Sequence, residues 1–174
     1  ADGAGSIVRK KMKNKYSIKT EERFIDCGYK ELTIPAGING KHIISKDALH
    51  IWPRGSYMII ALPNPDGTFT CTLFFPMKGD NSFNNLKNTK DVLDFFNTNF
   101  HDLLKLIPDL SEQYFSNPLS SLGLVRSETW LKNNIALIGD SCHATVPFYG
   151  QGMNCGFEDC YLLNKSINDC NSFD

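Results

Sequence analysis

The stretch Gly139-Asp140-Ser141-Cys142-His143-Ala144-Thr145-Val146-Pro147-Phe148-Tyr149-Gly150-Gln151-Gly152 brings together a carboxylate, a thiol, an imidazole and two glycines one residue apart. It follows the apolar run Ile135-Ala136-Leu137-Ile138, which reads as a strand buried on both faces. Asp140 then falls just past the strand's carboxyl end, where open α/β sheets bind ligands. Gly150 and Gly152 have no Cβ, so the backbone there can approach a ligand closely and aim N–H groups at an electron-rich ring or a phosphate. A Gly-Asp pair after a strand is also a common turn. His-Ala, Pro147 and Gly-Gln-Gly behind it favour a ligand-holding role for Asp140.

Other chemistries are weaker. Glu158-Asp159 looks like a carboxylate pair for acid–base work, but adjacent helical residues point in different directions, so these two read as capping groups or surface ion pairs. His50 and Arg54 flank Trp52-Pro53, where ion pairing or packing is as good a reading as ligand contact. Six cysteines (Cys27, Cys71, Cys142, Cys155, Cys160, Cys170) show no C-x-x-C pair, which argues against zinc, any other metal site and a disulfide framework, and for reduced thiols. A net charge of −1 and a pI near 6.5 argue against a nucleic-acid partner. No run of eighteen apolar residues and no signal peptide occurs.

The positioning elements follow from pattern. Residues 7–19 carry Arg9, Lys10, Lys11, Lys13, Lys15 and Lys19 without an acid and read as a solvated helix face. Residues 23–76 read as antiparallel sheet, with Tyr57–Leu62 and Thr68–Phe75 joined by the hairpin loop Pro63-Asn64-Pro65-Asp66-Gly67. Alternation places Met58, Ile60 and Leu62 on one face, and Thr70, Thr72 and Phe74 on one face of the partner strand. Residues 88–107 read as a helix capped by Asn88 or Thr89, with Val92, Leu93, Phe96 and Phe100 on its core side. After Gly152, the residues Met153, Phe157, Cys160, Tyr161 and Leu163 suit an amphipathic helix packed on the sheet. Its N-terminus carries roughly half a positive charge. A chain of 174 residues, 41% hydrophobic, can bury one real core or two partial ones.

The Gly139–Gly152 stretch resembles the glycine-aspartate motif of the flavin-dependent aromatic hydroxylases. Ala1-Asp2-Gly3-Ala4 with Ser6 and Val8-Arg9 resembles their Asp-Gly motif. Gly150-Gln151-Gly152-Met153-Asn154, Gly156-Phe157-Glu158-Asp159-Cys160, Leu49-His50-Ile51-Trp52-Pro53-Arg54, Ile60–Asn64 and Phe69–Phe74 are similar to the kynurenine 3-monooxygenases within that family. The resemblance spans about residues 1–165 and is looser at 78–130.

It implies an α/β fold: part of a Rossmann-like FAD-binding domain (1–20 and 129–174) and an antiparallel-sheet substrate domain (21–128). The implied cofactors are FAD and NADPH. The implied reaction uses NADPH and O2 to hydroxylate the ring of L-kynurenine, giving 3-hydroxykynurenine. Asp140, Pro147, Gly150, Gln151, Gly152, Met153 and Asn154 would bind the cofactor. Leu49, Met58, Ile60, Leu62, Phe74, Pro147, Phe148 and Gln151 would bind substrate. No side chain acts as acid or base, so His143 is structural. Tyr149 departs from the family's usual Phe or His. The basic stretch has a second reading here, a rim near the phosphates of NADPH.

No Gly-x-Gly-x-x-Gly segment is present, so the expectation is an internal fragment lacking the ADP-binding half and the C-terminal segment, and weak in FAD binding by itself. Any membrane contact would come through that C-terminal segment, with a cytosol-facing location, at the mitochondrial outer membrane if the eukaryotic pattern holds. Rival readings are another FAD-dependent aromatic hydroxylase, and a non-catalytic fragment serving as an interaction module.

Overall fold

The computed structural model describes residues 2–170. They form two compact units, one comprising Asp26–Leu122 and the other the described residues up to Ile25 with those from Gly123 onward. The fold is mixed α/β with an antiparallel sheet, as the sequence predicts. No helix among the described residues is long and apolar enough to cross a membrane.

The Asp26–Leu122 unit is built on a sheet of order β2-β3-β4-β1-β5. The strands are β1 (Thr20–Ile34), β2 (His50–Arg54), β3 (Tyr57–Pro63), β4 (Phe69–Pro76) and β5 (Ser120–Ser127), β1 and β5 each contributing residues to both units. The predicted hairpin forms as β3 and β4. Its turn is closed by Asn64 N–H donating to the Thr68 carbonyl at 2.8 Å, and Asp66 accepts from the Thr68 N–H at 3.0 Å.

Alternation sends Tyr57, Ile59, Ala61, Phe69, Cys71, Leu73 and Phe75 to one face. There they bury against Val92, Phe95, Phe96, Phe100, Leu103 and Tyr114, on helices α2 (Thr89–Asn99), α3 (His101–Leu104) and α4 (Leu110–Ser116) and at the α2–α3 junction. On the opposite face Met58 pairs with Phe74, Ile60 with Thr72 and Leu62 with Thr70.

Asn88 caps α2 by accepting from the Asp91 N–H at 3.0 Å. The helix predicted over 88–107 is broken at Phe100, whose φ of −140° and ψ of 45° leave the helical region. That break turns the Phe100 ring, fully buried, toward Tyr57, Phe95 and Phe96. Leu93 is 39% exposed, and Phe95 takes the core position assigned to it. The predicted Val92, Phe96 and Phe100 are all buried, and Leu93 alone of the predicted set faces outward.

His50 and Arg54 pack: His50 stacks on Trp52 and meets Phe69 edge-on, while Arg54 lies 5.1 Å over the Phe100 ring and donates from Nε to the Asn99 carbonyl.

The other unit opens with α1 (Ile7–Tyr16). Asp2 accepts from the Ile7 and Val8 N–H groups and from the Ser6 hydroxyl, and Ser6 accepts from the Arg9 N–H. This arrangement satisfies donors that a helix start leaves unpaired. Arg9 is fully buried and so does not belong to a solvated face. Among the residues that share its helix, it is the arginine in a run of lysines, and its fork of donors is used inward. Met12 also points inward, forming a small core with Ile18, Leu137 and Cys142.

Ile135–Ile138 is not a doubly buried strand. Only Ile135–Ala136 (β7) is extended, pairing with β6 (Leu131–Lys132), and Ala136 is exposed. Four apolar residues in a row do not say how many faces they cover; here Leu137 alone is fully inside. Two helices follow, α5 (Asp140–His143) and α6 (Gly152–Asp169), with a 3-10 turn at Pro147–Tyr149 between them.

Candidate functional site

Asp140 is the first residue of the four-residue α5, and it is exposed. Gly139 before it has φ 60° and ψ −147°, a conformation open to glycine and strained for any side chain.

Three residues, Arg9, Asp159 and Trp130, hold this turn. From one side Arg9 Nη1 donates to the Ser141 carbonyl at 2.8 Å. The same guanidinium donates through Nη2 to the Ala4 carbonyl at 2.5 Å and to Glu22 at 2.9 Å, and its hydrogen bond keeps the Glu22 carboxyl below its ordinary pKa. From the other side one oxygen of Asp159, on α6, accepts from the Gly139 N–H at 2.6 Å and from His143 Nε2 at 2.6 Å. Finally, the Trp130 ring stacks on His143 at 4.8 Å and 20°, with Trp130 Nε1 donating to the Ser127 carbonyl.

The His143 ring is engaged by Asp159 and Trp130. Asp159 is not a surface ion-pairing group; its side chain is 11% exposed.

The face that α6 turns inward is not the predicted one. Met153, Phe157 and Tyr161 are 69%, 65% and 67% exposed, Cys160 is exposed, and Leu163 is 40% exposed. The half-buried positions are Gly152, Cys155, Gly156 and Asp159, spaced i, i+3, i+4, i+7. The helix approaches the Asp140 turn through its small residues and delivers Asp159 to it. The apolar stripe lies on the other side of the helix and stays exposed.

Pro147 opens the 3-10 turn, Phe148 is half-buried, and Tyr149 is 86% exposed. Gly150 adopts φ 63° with nothing within 4 Å of where a Cβ would stand. Gln151 is the N-cap of α6 and its side chain does not cap the helix; it donates to the Tyr149 carbonyl and accepts from Asn154 Nδ2 at 2.9 Å. Gly152, Met153 and Asn154 form the first turn of α6, Met153 and Asn154 exposed. An 18-residue helix with an uncapped N-terminus presents backbone donors and partial positive charge. The Asp140 carboxylate lies next to it: a Cβ on Gly152 would stand 3.9 Å from Asp140 Oδ1.

This arrangement fits the flavin expected from the sequence. The backbone at Gly150 is open to close approach, the helix N-terminus suits negative charge, and Asp140 can accept from hydroxyls.

Cys142 Sγ, His143 and Asp159 offer donor atoms within 4.8 Å of one another. Burial, with the Asp159 charge second, pushes the Cys142 thiol up to about 11, so a thiolate is disfavoured. The Asp159 oxygen is meanwhile taken by two donors, and the cluster is built for hydrogen bonding.

In the Asp26–Leu122 unit, four of the predicted substrate residues, Met58, Ile60, Leu62 and Phe74, share one sheet face, and Leu49 lies outside the strands. Phe74 and Ile60 are buried, Met58 is half-buried, and Leu62 is 48% exposed. Leu49 is 49% exposed and precedes the first residue of β2. Tyr29, opposite Phe74 in the β1–β4 register with ring centroids 6.3 Å apart, extends that face.

Sequence reasoning missed Arg9, Asp159 and Trp130 as parts of the site. The Ser6-x-x-Arg9 spacing marks a helix cap through the Arg9 N–H and says nothing of where the guanidinium goes. Asp159 lies within the Gly156–Cys160 motif, which did not reveal its partner, and Trp130 lies in none of the motifs.

A family model described as an FAD binding domain matches residues 1–169. The chain is 52% identical over 168 residues to the kynurenine 3-monooxygenase of Flavobacterium johnsoniae, covering 96% of this chain and 38% of that protein. It is 50% identical over 169 residues to the kynurenine 3-monooxygenase of Dictyostelium discoideum, covering 97% and 37%. The chain therefore spans well under half the length of these relatives. Among solved structures, 2-methyl-3-hydroxypyridine-5-carboxylic acid oxygenase in its tetrameric form superposes with a TM-score of 0.73 at 19% identity, covering 99% of this chain and 45% of that one. That likeness speaks for the fold.

Proposed function

The chain belongs to the FAD binding domain family, and from that premise we propose that it is the flavin- and substrate-contacting part of a kynurenine 3-monooxygenase. In this reading L-kynurenine, NADPH, a proton and O2 give 3-hydroxykynurenine, NADP⁺ and water. FAD, when bound, supplies the redox and oxygen-activating chemistry.

The chain's own residues bind, orient and exclude water. Asp140 accepts hydrogen bonds from the cofactor's hydroxyl-bearing chain. Gly150 and Gly152 let the backbone lie against the ring, and the N–H groups of Gly152, Met153 and Asn154 face its electron-rich edge. Pro147, Phe148 and Gln151 border the reacting side. The apolar sheet face of Met58, Ile60, Leu62 and Phe74, with Leu49 at its margin, contacts the aromatic substrate.

One observation carries the flavin assignment: the Asp140 carboxylate stands beside the uncapped start of α6, where two sequence motifs meet in one small region. The substrate assignment is supported by identity near 50% to proteins named for kynurenine.

The test is turnover by the full-length protein. Kynurenine-dependent NADPH oxidation with 3-hydroxykynurenine as product supports the reading. Hydroxylation of a different aromatic acid with kynurenine untouched overturns its substrate, and a protein that never retains FAD overturns the whole.

A further inference from the structure

We propose that Asp159 is a positioning residue for the cofactor, acting through the Gly139–Asp140 turn rather than by touching the ligand. The inference rests on the flavin reading above. Its observation is a geometry in which a single carboxylate oxygen ties both ends of one turn. Asp159 Oδ2 accepts from Gly139 N–H at 2.6 Å, immediately before Asp140, and from His143 Nε2 at 2.6 Å, at the last residue of α5.

The consequence is mechanical. Gly139 sits at positive φ, where a chain without a side chain has many alternatives. A charge-assisted hydrogen bond to its N–H removes that freedom and sets the direction in which Asp140 leaves the backbone. The second bond stops α5 from rotating about the first. His143 is itself held against Trp130, so the clamp has a fixed wall on its far side. Asp159 belongs to α6, whose first turn also supplies the cofactor-facing N–H groups. It therefore locks the carboxylate and the helix N-terminus into one spacing. Residues at this remove from a ligand act by orienting the ones that touch it.

The test is a double-mutant cycle on FAD affinity in the full-length protein, using Asp159→Ala and Asp140→Ala singly and together. Asp159→Ala should raise the Kd for FAD about tenfold, and Asp159→Asn, which keeps a neutral acceptor, should recover part of it. In the Asp140→Ala background Asp159→Ala should change the Kd by less than about twofold, because the group it positions is gone. Equal fold-changes in both backgrounds, or an unchanged Kd in Asp159→Ala, would overturn the proposal. A purely structural role would lower thermal stability without this coupling.

Hydrogen exchange of the Gly139 amide, read without FAD, separates the two levels. Faster exchange in Asp159→Ala is expected. A wild-type protein that binds no FAD sinks the flavin reading, and an exchange rate unchanged by the variant sinks the clamp itself.

Discussion

Arg9 Nη1 donates to the main-chain carbonyl of Ser141 at 2.8 Å across 132 positions of sequence. This bond joins the start of α1 to the turn that carries Asp140, and it explains why a guanidinium is fully buried in a helix otherwise coated with lysines. Removing it leaves a buried carbonyl without its donor. Arg9→Ala should lower stability by about 1.5–3 kcal/mol. Glu22→Ala, whose carboxylate is 41% exposed, should cost under about 1 kcal/mol. Urea unfolding of both variants checks the order; equal losses would mean that the ion pair, and not the Ser141 contact, is what Arg9 supplies.

The tether at the start of α1 carries its own pH signature. Hydrogen bonds from the Ser6 hydroxyl and the Val8 and Ile7 N–H groups lower the Asp2 carboxyl from 3.8 to about 2. A depressed carboxyl stabilises the fold above its unfolded value, and that stability disappears as pH falls through the folded one. The part of acid sensitivity that depends on Asp2 should therefore lie between about pH 4 and pH 2. Asp2→Asn should flatten the stability profile in that window alone. A profile altered near neutral pH would contradict it.

Neighbouring phenylalanines on β4 point to opposite faces and should behave differently. Phe75 belongs to the main core with Tyr57, Phe83 and Phe95, and Phe75→Ala should destabilise by about 3–5 kcal/mol. Phe74→Ala should cost less in folding and more in function. It should raise KM for kynurenine and divert NADPH oxidation to peroxide, because a loosely held ring misses the reacting geometry. Normal coupling and KM in a folded Phe74→Ala enzyme would make this face ordinary core.

Much of this architecture was legible in the residues. Asn88 announced the start of α2, the two prolines with Asp66-Gly67 announced the β3–β4 loop, and period-2 alternation put Met58, Ile60 and Phe74 on one face. Each signal is local, and its physics operates within a few residues. What was not legible depends on long-range partners. Nothing around Asp159 says that its oxygen will reach back to Gly139, and nothing in residues 7–19 separates Arg9 from the solvated lysines until Ser141 arrives beside it. The α6 stripe misled for a related reason. Periodicity located an apolar face correctly but did not say which face the rest of the unit would use, and the half-buried side is that of Gly152, Cys155, Gly156 and Asp159 instead.

Gly139 offers a sharper backbone test. At φ 60° and ψ −147° an added Cβ is strained by about 1–3 kcal/mol, so Gly139→Ala should either lower stability by that amount or relax the turn and swing Asp140 away. Either outcome should weaken FAD binding. A Gly139→Ala protein with native stability and native FAD affinity would show that this conformation is not required.

The central claim is that the Asp140 carboxylate holds the cofactor beside the start of α6. Its most direct measurement is the FAD dissociation constant of the full-length Asp140→Ala protein, with folding verified by circular dichroism. Loss of a charged hydrogen bond is worth about 1.5–3 kcal/mol, so the Kd should rise roughly ten- to a hundredfold with the fold intact. An unchanged Kd would contradict the account and reduce Gly139-Asp140 to a turn.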